Sequence, residues 1–343
     1  MPHSRPRIPA NLSTPSRRSL LVGLLMALGL PAPAAPPPAP VAPDTDIKRY
    51  SFLYAGEWDT RKAMQSMFIV RHGKVEWSYS IPLRLEGGGI QEFDDATMLP
   101  NGSVVFSRMS GAGIVSPEGK LVWDYPAPAG TEVHSAQPLG GARVLIMRNG
   151  SPARALVIDT ASNEIVKEVL IPTATTGTHG QFRHVRMTQA GTLLVPHLGD
   201  GKVVEYDLEG KVLWSVPAAS PWSAVRLKNG NTLIAGDWSR YVREVNAKGE
   251  TVWELTQKDV PDIRMGNLQT ANRLANGHTV ICNWCAGDKN EAAWKGTVQV
   301  FEVTPDKQVV WKLSSWEDPD LGPSTSIQLL EGPGVPPEWD IYR

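Results

Sequence analysis

The stretch WSAVRLKNGNTLIA, Trp222–Ala235, decides how the rest of the chain is read. A run of small and apolar residues leads to Leu227. Lys228, Asn229 and Gly230 then form a turn, and Thr232, Leu233 and Ile234 resume an apolar, β-prone run. Asn-Gly between two such runs is hairpin sequence, because glycine takes the positive φ that a tight turn needs. The plan recurs in DDATMLPNGSVVFS (94–107), RHVRMTQAGTLLVP (183–196) and QTANRLANGHTVIC (269–282). HSAQPLGGARVLIM (134–147) is a copy with its turn glycines shifted by one.

A second hairpin follows these copies. It reads VSPEGKLVWDY, EYDLEGKVLWSV, EVNAKGETVWEL and EVTPDKQVVWKL, carrying Trp123, Trp214, Trp253 and Trp311. RHGKVEWSY supplies Trp77, whereas VIDTASNEIVKEV has no tryptophan. A residue that recurs in each well-formed unit is expected to pack neighbouring units together. One reaction site would not need it five times.

Each repeat is therefore four short strands. Such a sheet cannot bury both faces alone, and radial stacking solves this while leaving few free edges. Five repeats are complete. A sixth is split, with TSIQLLEG (325–332) as its inner strand and YSFLYAGE, MFIVRHG and KVEWSYSI as the other three. The sequence predicts an all-β, six-bladed β-propeller over residues 46–332, with its ring closed by strands from both ends of the chain.

These units resemble quinoprotein-like β-propellers. The six-fold count and the NGNTLI and VWEL forms resemble most the arylsulfate sulfotransferase family and its uncharacterised relatives. The GKxxW units are similar to the tryptophan-docking motif of quinone-cofactor propellers. Those enzymes usually have eight units, a calcium site and an adjacent cysteine pair, which this sequence does not match.

The repeat sorts residues by rim. The inner strands open at the top with Asp94 and Asp95, His134 and Ser135, Arg183 and His184, Trp222 and Ser223, Gln269 and Thr270, and Thr325 and Ser326. The upper loops add Arg108, Arg148, His197, Asp200, Asp237, Trp238, Arg240 and Trp284. Varied polar and aromatic groups at a channel mouth make a pocket for a small polar or anionic aromatic ligand. Asp94, His197, Trp222, Asp237, Trp238, Gln269 and Trp284 are its expected binding residues. The bland alternative is a hydrated mouth with no ligand.

Whether the chain is an enzyme stays open at this point. The sulfotransferase resemblance implies a histidine nucleophile that accepts a sulfuryl group on its way between phenolic compounds. His184 takes that place, supported by His134 and Arg183, with His197 and His179 as further histidines near the mouth. No cofactor is assigned from the sequence, with calcium left open. Asp94, Asp95 and Asp237 are hard oxygen donors that suit calcium, although alternation turns Asp94 and Asp95 to opposite faces. The four upper histidines are the alternative set, for a transition metal.

The two cysteines, Cys282 and Cys285, lie in CNWC. An oxidising compartment permits a disulfide between them. Residues three apart in a straight strand face opposite sides, so the bond needs a bend at Asn283 and Trp284. A redox role lacks a strand-to-helix context, and haem attachment would need histidine where Ala286 stands. The loop AGDKNEAAWKG (286–296) is the longest upper insertion and a surface for a protein partner or a lid. Trp294 within it could cover a ligand or dock on the domain.

The 343 residues carry 34 basic and 35 acidic side chains, a formal charge of -1, which gives no reason to expect a nucleic-acid partner. Arg17 and Arg18 precede an apolar run and a small-residue, proline-rich segment, the pattern of a signal peptide over 1–35. SRRSLL is similar to a twin-arginine signal. The run is too short to span a bilayer. Residues 36–45 read as a proline-rich leader and 333–343 as a C-terminal tail. A periplasmic or secreted location is expected, with no membrane span after cleavage.

Overall fold

A computed structural model describes residues 42–335. The expected signal peptide, most of the expected leader and most of the expected C-terminal tail lie outside the described residues. The described residues form six four-stranded antiparallel sheets. The first blade comprises Ala96–Met98, Val104–Arg108, Gly111–Val115 and Leu121–Pro126. Blade two comprises Glu132–Gly140, Arg143–Asn149, Arg154–Asp159 and Glu164–Leu170; blade three, Arg186–Met187, Leu193–His197, Lys202–Tyr206 and Val212–Pro217. Blade four comprises Pro221–Arg226, Thr232–Gly236, Tyr241–Val245 and Thr251–Thr256; blade five, Asn267–Arg273, Thr279–Trp284, Val300–Val303 and Val309–Leu313.

The sixth blade closes the ring. Its inner strand, Ser326–Glu331, pairs antiparallel with Ser51–Ala55, and Met64–Arg71 and Lys74–Pro82 complete the sheet. Phe52 faces Leu329, and Tyr54 faces Ile327 across that seam. Both ends of the domain are thus held in one sheet, which removes two free edges.

The lower turns behave as their sequence requires. Gly102, Gly191, Gly230 and Gly277 have φ of 81°, 76°, 86° and 85°. In three of these turns an asparagine carboxamide oxygen accepts the backbone N–H two residues on, at 3.0 Å each from Ser103, Asn231 and His278.

The recurrent tryptophans join neighbouring blades. Trp123 donates its indole N–H to Asn163 Oδ1 at 3.1 Å, Trp214 to the Ala247 carbonyl at 2.9 Å and Trp253 to the Pro305 carbonyl at 2.8 Å. Trp311 reaches the Asp46 carbonyl at 3.1 Å, beside blade six. An inner-strand arginine completes two of these junctions. Arg226 lies 4.8 Å over Trp214 and pairs with Glu205, while Arg273 lies 5.1 Å over Trp253 and pairs with Glu244. Each arginine comes from the blade after its tryptophan. The junction thus combines apolar burial, a cation–π contact and an ion pair.

Two features depart from the sequence reading. Blade three's inner strand is confined to Arg186–Met187. Its upper part leaves the ladder, where Arg183 folds back to donate to the Phe182 and His179 carbonyls. The Cys282–Cys285 disulfide is not formed; both thiols are free and buried. Cys282 packs in the core between blades five and six, and Cys285 packs with Trp294 and Trp316. The strand runs on to Trp284, so the required bend is absent and the two side chains enter different apolar clusters. Burial pushes both thiols up to about 12, which keeps them protonated and unreactive.

Among the described residues, no helix is long and apolar enough to cross a membrane. The upper insertion forms a short 3-10 helix, Glu291–Gly296. Its Trp294 is buried and donates to the Asp288 carbonyl at 2.8 Å, so it docks on the domain.

Candidate functional site

The top of the ring gathers a polar cluster from several blades. Asp94 and His134 open adjacent inner strands, and His134 Nδ1 lies 2.8 Å from Asp94 Oδ2. Glu92, two residues before Asp94, places Oε2 3.3 Å from the same nitrogen. Glu132, two residues before His134, takes the opposite ring nitrogen at 2.9 Å. The His134 ring is therefore held by carboxylates on both sides.

His179, in the connection before blade three, joins this group. Its Nδ1 is 3.0 Å from Glu132 Oε2, and its Nε2 accepts from Arg183 Nη2 at 3.1 Å. Its side chain is 47% exposed, so it connects the buried cluster with solvent. The Arg183 guanidinium lies 4.7 Å over the Trp222 ring. Across the mouth, Gln269 donates to Glu57 Oε1 at 2.6 Å, and the Trp284 indole donates to the Glu57 carbonyl at 3.2 Å.

Local backbone explains how Glu57 and Asp237 come inward. Each follows a return strand through a glycine. A Cβ on Gly56 would overlap the Pro323 carbonyl, and one on Gly236 would overlap the Tyr241 ring. Only glycine allows the chain to pass this close.

The electrostatics are uneven. Burial, then the charges of Glu92 and Asp94, push Glu57 well above the usual carboxylate range. Asp94 is pushed up in the same way, by burial and then by Glu92. For Glu92 burial acts upward too, but its contact with His134 and the charges of His134, His179 and Arg183 outweigh it and hold it down to about 2. Like charges in one dry site resist ionising together, so burial and mutual repulsion raise Glu57 and Asp94 while His134, His179 and Arg183 favour the Glu92 anion. Burial raises Asp237 to about 7, against the pull of Arg183 and a hydrogen bond from Asn267.

The sequence-predicted residues therefore separate. Asp94, His134, Arg183, Trp222 and Gln269 converge at the mouth, with Asp237 close enough to feel Arg183. Asp95 turns away, as alternation requires, and forms a two-pronged pair with Arg186 at 2.8 and 2.9 Å. The proposed calcium set of Asp94, Asp95 and Asp237 is thus not assembled. His184 donates Nε2–H to the Asp94 carbonyl at 2.7 Å, and its Nδ1 accepts from Arg186 at 3.3 Å. Burial lowers its pKa to about 4, so it is neutral at pH 7, and it brings no free nitrogen to the mouth.

His197 points into blade three. It is hydrogen-bonded to Tyr206 at 3.0 Å and to Asp200 at 3.3 Å, edge-on to Phe182, and fully buried. It is a core residue. Trp238 is 56% exposed and stands outside the cluster. Glu57, Glu92 and Glu132 were not singled out from the sequence. Among the described residues, two groups bring ligand atoms within 4.8 Å of one another: Glu92, His134 and His179, and Glu57, Glu92 and Asp94.

Spaces open along the axis and at both rims. A central channel of about 80 Å³ is lined by Asp95, His184, Arg186, Ser223, Thr270 and Ser326, with room for a few waters. A rim cleft of about 460 Å³ is bounded by Arg240, Arg264, Asn267, Trp284, Cys285 and Trp294. This is the size of small-molecule pockets. It meets the mouth at Trp284, which binds Glu57, and at Asn267, which binds Asp237. A third space of about 410 Å³ lies at the lower rim, beside Arg226 and Arg273.

No protein-family model matches the chain, and no curated protein does. Solved structures match its fold. A protein of unknown function from Bacteroides caccae is 25% identical with a TM-score of 0.70, covering 81% of this chain and 98% of that one. A catalytically inactive virginiamycin B lyase from Staphylococcus aureus, crystallised with quinupristin, is 12% identical with a TM-score of 0.50. That match covers 77% of this chain and 85% of that one, and it is a likeness of fold. The class defined by fold and site is a six-bladed β-propeller with a polar, acid-rich upper mouth.

Proposed function

We propose that this chain is an exported propeller whose upper mouth and rim cleft bind a small polar aromatic molecule rich in hydrogen-bond donors. The observation that carries this reading is the set of buried polar atoms at the mouth without a protein hydrogen-bond partner: four oxygens, Glu57 Oε2, Asp94 Oδ1, Asp237 Oδ1 and Gln269 Oε1, outnumbering two nitrogens, Arg183 Nε and Trp222 Nε1. Each buried acceptor left unpaired costs about 1–3 kcal/mol. A hydroxyl or amine presented from the cleft offsets that cost, and Trp284 supplies an aromatic wall for the rest of the molecule. The carboxylates argue against an anion at this point. A fully anionic ligand would meet Glu92 and Glu132 at close range.

Calorimetric titration with tyramine, a neutral phenol and phenyl sulfate tests the reading. Tyramine should bind most tightly, and Glu57→Gln with Asp237→Asn should weaken it at least about tenfold, the loss of one to two good hydrogen bonds. Tighter binding of phenyl sulfate, or no binding by any of the three, would overturn it.

Sulfuryl transfer is the enzymatic form to test second. Arg183 beside His134 and His179 favours it, because a cation near two imidazoles matches what the resemblance implies. In this arrangement His179, with its solvent-facing ring, is the nucleophile in place of His184, its Nε2 freed when Arg183 turns from it to the sulfuryl oxygens. Incubation with p-nitrophenyl sulfate and a phenol should then give transfer that His179→Ala abolishes and His184→Ala retains. Absence of transfer removes the reading.

A further inference from the structure

We propose that Glu92, His134 and His179 form a binding site for one divalent transition-metal ion at the upper mouth. The geometry is that of a ligand set around a common centre. His134 Nδ1 is 3.3 Å from Glu92 Oε2, and His179 Nε2 is 3.8 Å from Glu92 Oε1. Two donors on one ion at bonds of about 2.1 Å can stand at most about 4.2 Å apart, so both spacings are compatible with a shared ion.

The far side of the histidines is built to match. One oxygen, Glu132 Oε2, is hydrogen-bonded to His134 Nε2 at 2.9 Å and to His179 Nδ1 at 3.0 Å. It fixes both rings so that the remaining nitrogens, His134 Nδ1 and His179 Nε2, turn toward Glu92. A carboxylate on the outer nitrogen of a metal-binding histidine sets its tautomer and strengthens it as a ligand. Here a single carboxylate does this for two rings.

A second, independent observation points to a ligand. Glu57, Glu92 and Asp94 are each at least nine-tenths buried, and each has an oxygen without a hydrogen-bond partner in the same cluster. Glu57 and Asp94 place oxygens within 4.8 Å of Glu92, in the outer part of the same cluster. His179, half exposed, provides the way in. Entry displaces three contacts, that of Asp94 Oδ2 on His134 Nδ1, the Arg183 N–H on His179 Nε2 and the Trp58 indole N–H on Glu92 Oε1. Two imidazole nitrogens with carboxylate oxygens suit Zn²⁺ or Mn²⁺. Calcium takes six to eight oxygens and is a poorer fit.

The ion is held by Glu92 and the two histidines whichever molecule enters the rim cleft, although both readings draw on the unpartnered oxygens of Glu57 and Asp94. Its test is calorimetric titration of the full chain, freed of metal with EDTA, with Zn²⁺, Mn²⁺ and Ca²⁺ separately. The expected result is one Zn²⁺ or Mn²⁺ per chain, bound more tightly than Ca²⁺. Affinity should fall at least about tenfold in Glu92→Gln and in His179→Ala, and about tenfold or more in Glu132→Gln. His179→Ala changes a half-exposed side chain, so its melting in EDTA should match that of the wild type and separate loss of the ion from loss of the fold. Binding away from one-to-one, tighter Ca²⁺ than Zn²⁺ and Mn²⁺, or unchanged affinity in Glu92→Gln and His179→Ala would overturn the site. The amine and phenol titrations, repeated in EDTA, score the cleft separately.

Discussion

The blade junctions and the upper mouth are built from the same repeat but treat it in opposite ways. At the junctions, tryptophan, arginine and glutamate recur with similar geometry, as in Trp214–Arg226–Glu205 and Trp253–Arg273–Glu244. Most of their polar atoms find protein partners, Trp77 Nε1 and Arg273 Nε being the exceptions. At the mouth, equivalent positions hold Asp94, His134, Arg183, Trp222 and Gln269, and several buried acceptors lack a protein partner. Repetition with satisfied hydrogen bonds indicates scaffold. Variation with unsatisfied ones indicates a site completed from outside.

The largest effect expected from breaking this contrast is at the ring closure. A chain ending at Asp320 loses Ser326–Glu331, the inner strand of blade six, and exposes the edge of Ser51–Ala55. It should show no cooperative melting transition. A melting temperature equal to that of the full chain would mean that closure is not needed.

Next is a junction. Trp311 is fully buried, edge-on to Tyr50 at 4.9 Å, and donates to the Asp46 carbonyl. Trp311→Ala should cost about 3–5 kcal/mol in urea denaturation. A loss under about 1 kcal/mol would show that the junction tryptophans are not what binds the blades.

A smaller effect concerns His197, assigned to the core and not to the mouth. Burial lowers its pKa to about 4, below an unfolded value near 6.5. The unfolded chain therefore takes up the proton first on acidification. Stability from this group is fully present above about pH 6.5, falls toward pH 4 and is flat below that, by at most about 3 kcal/mol. His184, also held down to about 4, acts with the same sign. Urea denaturation at pH 7 and pH 5 should show the loss, and His197→Asn should reduce it by roughly half. An unchanged slope would place His197 in solvent.

The smallest effect separates the regions most clearly. Glu57 is buried among acids, with one oxygen unpartnered. Glu57→Gln should leave stability within about 1 kcal/mol of wild type, or raise it, because it relieves a crowded acid cluster. A conservative change at the mouth should thus alter binding and spare the fold. A loss above about 3 kcal/mol would make Glu57 a structural residue.

The fold was legible in the sequence because each blade repeats its turn chemistry. Glycine turns and, outside blade two, an outer tryptophan mark the strands. The mouth was half legible. Asp94, His134, Arg183, Trp222 and Gln269 followed from one register position, but the positions two residues upstream were overlooked, and these supply Glu92 and Glu132. Glu57 also had a signal. LYAGEW (53–58) repeats the form of LIAGDW (233–238), so Glu57 and Asp237 are equivalent across two blades. The inward or sideways aim of His184 and His197 was not legible. It depends on tertiary partners, the Asp94 carbonyl and Arg186 for one, Tyr206 and Asp200 for the other. The cysteine pair failed for a local reason, since an unbent strand sends the two thiols apart.

The central claim is that the upper mouth is completed by something other than protein. A high-resolution crystal structure of the purified chain tests it most directly. Non-water density is expected there, bounded by Glu57, Glu92, Asp94, His134 and His179 and in contact with the unpartnered acceptors. Ordered waters alone, satisfying each of those acceptors with no ion or organic molecule present after incubation with Zn²⁺ and tyramine, would contradict it.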